Sequence, residues 1–214
     1  MSATKEGKLM MEKRNEQTTV VMGHGDETVN VLLSGVHSHD WKVRESSREG
    51  LESLGELALF PLVDLLNDPD WHVRWEAAKA LQNIRDPRAA PALVKALRDG
   101  RFGVRWLASE ALVALKEGAL GPLLDALVHQ GDSLWLRRGA HRVLRQLTDE
   151  IRSPGVSDAL KPVLTALDSL EPSLTVGSAA QDALAELQRR GLIERTHWPQ
   201  EEGAASEPPA TRSR

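Results

Sequence analysis

The strongest constraint on what this chain can fold into is an internal repeat with a period of about 30 residues. DWKVRESSREGLESL, starting at Asp40, is echoed by DWHVRWEAAKALQNI from Asp70 and by RFGVRWLASEALVAL from Arg101. A fourth copy, SLWLRRGAHRVLRQL, starts at Ser133, and a degenerate fifth, LTVGSAAQDALAELQ, carries Gly177 where the others carry arginine. The anchoring arginines Arg44, Arg74, Arg105 and Arg137 follow one another at intervals of 30, 31 and 32 residues.

Each column of the repeat answers one demand of a packed helix. Val43, Val73, Val104, Leu136 and Val176 stand just before the anchor position. Three places after it come Ser47, Ala77, Ala108, Ala140 and Ala180, small residues that let helix backbones approach closely. Leucine fills the seventh place in every copy (Leu51, Leu81, Leu112, Leu144, Leu184), and the tenth holds Leu54, Ile84, Leu115, Leu147 and Leu187. Steps of four, four and three keep these side chains on one stripe of a helix, termed A, which must bury against a neighbour.

Between A helices lies a second apolar segment that carries a proline: Pro61, Pro91, Pro122 and Pro162. Proline at a first helical position loses no useful hydrogen bond and presets φ. These prolines are therefore expected to start the B helices PLVDLL, PALVKAL, PLLDAL and PVLTAL. VNVLLSGV, residues 29–36, reads as a B helix whose A partner is missing or lies in the polar N-terminus. Gly55, Gly118 and Asp86-Pro87 fall where A helices are expected to end.

A single helix pair cannot bury its apolar face alone, so the pairs must stack. The pattern predicts an all-α fold, a right-handed α-solenoid of about five antiparallel helix pairs over residues 25–192. Residues 1–24 and 193–214 have no apolar periodicity and are expected to be disordered ends. LTDEIRSPGVSD, longer and polar, is expected to form a hinge or a protruding loop.

Composition narrows the function classes. A formal net charge of −4 supplies no global positive field for a phosphate backbone, which argues against nucleic acid as a main partner. The absence of cysteine excludes disulfides, thiolate metal sites and cysteine nucleophiles, and fits a reducing compartment. No apolar run approaches the ~20 residues that span a bilayer, and the start lacks a signal-peptide core. The expectation is a cytoplasmic protein without a membrane partner.

The best copy, DWHVRWEAAKALQNIRDPRAAPALVKAL at residues 70–97, resembles the HEAT-like repeat of the phycobilisome-lyase type: an Asp turn, Val-Arg, Ala-Ala, Ala-Leu, a turn, then Pro-x-Leu. The likeness covers residues 27–147 well and 158–190 weakly. It implies the helical stack, and as function either a scaffold, a chromophore lyase or an iron hydroxylase. Deoxyhypusine hydroxylase places His-Glu dyads on helix A as iron ligands. Here the matching positions are Glu45-Ser46, Trp75-Glu76, Trp106-Leu107 and Arg138-Gly139, which offer no histidine. The resulting expectation is a protein-interaction scaffold with no catalytic, cofactor-binding or metal-ligating residues and no cofactor. The alternative is a phycobilin-lyase-like or deoxyhypusine-hydroxylase-like enzyme.

Candidate residues each carry two readings. Arg44, Arg74, Arg105 and Arg137 form either a basic ladder for an anion or structural anchors reaching Asp40, Asp68, Asp70 and Asp99 in the turns. Trp75 and Trp106 share the column after the anchor, with Arg138 continuing it. They are expected to be a partner-binding hot spot, or else to cover the next helix with Trp41 and Trp71 packing at the turns. His37, His39 and Asp40 have metal-like composition, but Asp40 suits the N-cap of the first A helix. His24, His72, His129 and His141 occupy non-equivalent positions. On the B helices Asp64, Lys95, Asp125 and Thr165 are expected at comparable outward places, a face of mixed sign.

Overall fold

The computed structural model of the chain describes residues 27–194, which form helices and the turns between them. The expected disordered ends and His24 lie outside the described residues, apart from 193 and 194. Helix α1 covers 27–36. It is followed by α2 (Trp41–Leu54), α3 (Glu56–Leu65) and α4 (Trp71–Ile84). A 3₁₀ turn (Pro87–Ala89) leads into α5 (Ala90–Ala96), then α6 (Phe102–Ala114) and α7 (Glu117–Gln130). The chain closes with α8 (Leu134–Ile151), α9 (Pro154–Leu167) and α10 (Pro172–Arg189).

Three of the A helices, α2, α4 and α8, start where a short polar side chain can satisfy a free backbone N–H. Asp40 accepts from the Lys42 N–H, Asp70 from the His72 N–H, and Ser133 from the Leu136 N–H. α2, α4, α6 and α8 then stack on one another in order, with α3, α5 and α7 alongside. Leu51, Leu81, Leu112 and Leu144 are fully buried, and so are Ala77, Ala108, Ala140 and Ala180 in the small-residue column. Each buried leucine contributes ~1.5–3 kcal/mol, so every rung of the stack is stabilised mainly by the faces it shares with its neighbours. The valine column is buried from Val73 onward, whereas Val43 is 43% exposed because no earlier A helix covers the first rung among the described residues.

The prolines sit deeper in the B helices than expected. Pro91 lies in the opening turn of α5, but Pro61, Pro122 and Pro162 are inside α3, α7 and α9. The joint between paired helices is only Gly55, or Leu115 and Lys116, so the B helix begins about a turn earlier. In α3 the carbonyl that Pro61 leaves without a helical donor belongs to Leu57, which is exposed and can be hydrated. Gly55 does end α2, with φ 55, but Gly118 does not end α6. Gly118 lies in the first turn of α7, where a Cβ would come within 2.8 Å of Pro87 Cβ, and Lys116 makes the sharp turn instead, with φ 52.

LTDEIRSPGVSD is not a loop. α8 runs on to Ile151 and α9 begins at Pro154, leaving Arg152 and Ser153 as the whole connection. Arg152 takes a left-handed conformation, φ 47, which stops α8 abruptly, and Pro154 presets the first turn of α9.

The fifth copy changes neighbours. α10 packs on α9 and α7 and makes no comparable contact with α8. A Cβ on Gly131 would lie 2.9 Å from Val176 Cγ1, and one on Gly177 would lie 3.5 Å from the Val128 carbonyl oxygen. Helices α7, α8, α9 and α10 thus close on themselves, and the A row of the solenoid ends at α8.

Candidate functional site

The anchoring arginines are turned toward backbone carbonyls of the turns that lead into their own helices. Arg44 Nη1 donates to the carbonyls of Ser38 (3.0 Å) and His39 (3.2 Å). Arg74 Nη1 donates to Asp68 (2.7 Å) and Pro69 (3.0 Å), Arg105 Nη1 to Asp99 (2.6 Å), and Arg137 Nη1 to Gly131 (2.7 Å) and Asp132 (2.6 Å). Arg74 alone of the four also grips a turn carboxylate, with Nε and Nη2 at 2.6 and 3.1 Å from the Asp99 oxygens.

Glu76, the second member of the dyad Trp75-Glu76, is buried between α2 and α4. Its carboxylate accepts from Arg48 Nε at 3.1 Å and lies 3.5 Å from Arg44 Nε. Burial holds this carboxyl above the usual carboxylate range, although both guanidinia pull it the other way. Arg48 also holds Glu52, its neighbour one turn along α2.

The outer surface of the A row carries the aromatic side chains. Trp75 is half-buried beside Gly103, where a Cβ would come within 3.4 Å of the indole Cδ1. Trp106 is 41% exposed, and the Arg142 guanidinium stands 5.9 Å from a ring centroid. Arg138 is exposed on α8 and lies 5.7 Å from the Trp135 ring, which is itself 43% exposed and has Arg105 at 3.9 Å. Trp75, Trp106 and Arg138 therefore sit on three successive rungs, and the two indoles are not stacked on each other. Guanidinium–ring contacts of this kind are worth ~0.5–1 kcal/mol at exposed sites, enough to bias the orientation of the rings.

Trp135 and Phe102, which is 71% exposed, were not singled out by spacing alone. For Phe102 a signal was present: the place three before the anchor is apolar in every copy, as Trp41, Trp71, Phe102, Leu134 and Leu174. Trp41 does not pack into its turn but is 58% exposed beside Lys42. In α2, α4, α6 and α8 the column follows the capping residue directly, at the first position of the helix.

Three of the described histidines stand against aspartates. His37 Nε2 meets Asp68 at 3.0 Å, His72 meets Asp70 at 3.1 Å and His141 meets Asp168 at 2.9 Å. Hydrogen bonds to the Leu33 carbonyl and to Asp68 raise the His37 pKa. Among the described residues no three or more His, Asp or Glu side chains gather as a metal-ligand set. On the B side Asp64, Lys95 and Thr165 are exposed, whereas the Asp125 side chain is mostly buried on α7, the helix that α10 crosses. A groove of about 670 Å³ between α9 and α10 is lined by Asp158, Lys161, Thr165 and Asp182.

The family model for HEAT repeats matches residues 29–113 and again 59–145. An engineered protein of solved structure is 22% identical, with 75% of this chain and 79% of that one covered and a TM-score of 0.39. A designed armadillo repeat protein is likewise 22% identical, over 81% of this chain and 87% of that one, with a TM-score of 0.39. A second such design, solved in complex with the peptide (KR)4, is 21% identical over 86% and 95% of the two chains, with a TM-score of 0.37. No curated protein matches the chain.

Proposed function

Because the chain belongs to the HEAT-repeat family, we propose that it works as a protein-binding scaffold whose contact face is the outer ridge of its A helices. Trp75, Trp106 and Arg138 lie on that face, joined by Trp135 and Phe102. The observation that carries the reading is the pair of part-exposed indoles, Trp106 with one guanidinium over its ring and Trp135 with two. Tryptophan dominates interface energetics because it buries large surface with few rotors, arginine because its planar guanidinium both donates hydrogen bonds and stacks on rings, and here arginines already orient the indoles. The reading keeps the short repeat type that residues 70–97 resemble and a cytoplasmic setting, which the lack of cysteine supports. Among the described residues no helix is long and apolar enough to cross a membrane.

A photo-crosslinking residue placed at Trp106 or Phe102 tests the proposal in cells. Protein adducts are expected from both positions and not from Thr165 on the B side. Adducts confined to Thr165 would move the contact face to the other side of the stack and refute the reading.

A further inference from the structure

The A row presents four rungs, of which the first carries acidic side chains at its outward places and the last basic ones. One place after the anchor stand Glu45, Trp75, Trp106 and Arg138; five places after it stand Glu49, Lys79, Glu110 and Arg142. Both series are complementary to their own reverse. Glu45 is matched by Arg138, Trp75 by Trp106, Glu49 by Arg142 and Lys79 by Glu110, with no pair of like charges. The apolar column three places before the anchor obeys the same rule, since Trp41 is matched by Leu134 and Trp71 by Phe102.

Such a surface fits itself. A two-fold axis lying in the contact plane, parallel to the A helices and between α4 and α6, reverses the order of the rungs and keeps each level along the helices. We infer that the partner on this ridge is a second copy of the chain, docked about that axis so that α2 faces α8 and α4 faces α6. The inference rests on the proposal that the ridge is the contact face, and it names the occupant.

The available charges suit that pairing. The Glu45 and Glu49 side chains are 51% and 64% exposed, and Arg48 approaches them only to 3.9 and 3.8 Å. Arg138 rests on Trp135 and meets no carboxylate among the described residues. Arg142 holds Glu110 at 2.6 Å within its own chain, so Lys79 and Glu49 of the other copy would enlarge that pair into a four-membered network of alternating sign. Four helices ~8–10 Å apart give a face ~30 Å long. With roughly 20 Å of helix surface engaged, each copy buries on the order of 600 Å², near the lower limit for a specific interface. Association in the micromolar range that weakens with salt is expected.

Sedimentation equilibrium of the full chain, from about 5 to 100 µM and at two salt concentrations, is the test. Wild type is expected to reach dimer mass and to dissociate at high salt. E45R/E49R makes both ends of the ridge basic and R138E/R142E makes both acidic, so each variant alone is expected to dimerise more than tenfold more weakly. An equimolar mixture of the two restores every outer pair and is expected to recover the dimer. Circular dichroism of each variant verifies its folding, and the mixture detects misfolding directly because misfolded chains would not reassociate. A wild type that stays monomeric throughout, a dimer indifferent to both charge reversals, or folded variants that fail to pair when mixed would each overturn the inference. Adducts at Trp106 with other proteins and none with the chain itself would overturn it while leaving the contact face in place.

Discussion

Arg74→Met separates a turn-holding arginine from a ligand-binding one. The substitution removes donors from the Asp68 and Pro69 carbonyls and strips the guanidinium from the Asp99 carboxylate, whose side chain is 8% exposed. Removing one partner of a buried ion pair costs about 3–5 kcal/mol. Asp99 keeps the Arg101 N–H at 2.7 Å, and the turn borders solvent, which together bring the expected loss to about 3 kcal/mol. Arg137→Met is the internal comparison, because Arg137 also donates to two carbonyls but grips no carboxylate. Its loss is expected at about 2 kcal/mol, roughly one per bond. Urea unfolding followed at 222 nm measures both, and Asp99→Asn added to Arg74→Met should recover about 1 kcal/mol by removing the stranded charge. If both single variants fell within about 0.5 kcal/mol of wild type, the carbonyl contacts would not be supporting the turns, and the ladder would have to serve an anionic ligand instead.

Lys116 has nearly the same backbone as Gly55, with φ 52 and ψ −125 against φ 55 and ψ −114, a region that penalises a Cβ. Lys116→Gly is expected to stabilise by about 1 kcal/mol after glycine's larger unfolded-state entropy is set against the relief of strain, and a lower urea midpoint would contradict this. Glu76 supplies a pH test. Its folded pKa lies above the unfolded value, so its contribution is fully present below the unfolded pKa of about 4.3 and is lost as pH rises through the folded one. Unfolding free energies of wild type and Glu76→Gln, compared from pH 4 to 7, should show wild type losing ground to the variant as pH rises; a widening wild-type advantage would refute the assignment to burial.

The stack was legible because its columns are local demands repeated five times. Leu81, Leu112 and Leu144 must be large and apolar, Ala77, Ala108 and Ala140 must be small, and no other arrangement satisfies both at a helical period. Where a side chain goes after its helix forms was less legible. Proline marks restricted φ but not its distance from the helix start, so Pro61 and Pro122 fit the first or second turn equally well until Gly55 and Lys116 fix the joint. LTDEIRSPGVSD reads as a loop on polarity, yet Thr148, Asp149 and Glu150 lie on partly or fully exposed positions of a helix already nucleated by Leu144 and Leu147. Trp135 was hidden for a different reason: its column reads Lys42, His72, Gly103, Trp135 and Thr175, without any shared demand. Its value as a site residue comes from Arg138 one turn along its own helix and above all from Arg105 on the adjoining rung, a contact that only three-dimensional placement supplies.

The turn taken by α10 determines how the ridge can be used. Val176, Ala180 and Leu187 satisfy the A-helix columns, so the stripe alone would allow α10 to stack on α8 as a fifth rung. That rung would carry Ser178 and Asp182 at the levels held by Arg138 and Arg142 on α8. Reversing five rungs would set Glu49 against Asp182, Lys79 against Arg142 and Glu110 against itself, a like-charge pair at every place on that level. By packing on α7 and α9 instead, α10 leaves four rungs, and the same level then contains only opposite charges. The close approach of Gly131 to Val176, and of Gly177 to the end of α7, is thus where local packing governs self-recognition on a face that neither glycine touches.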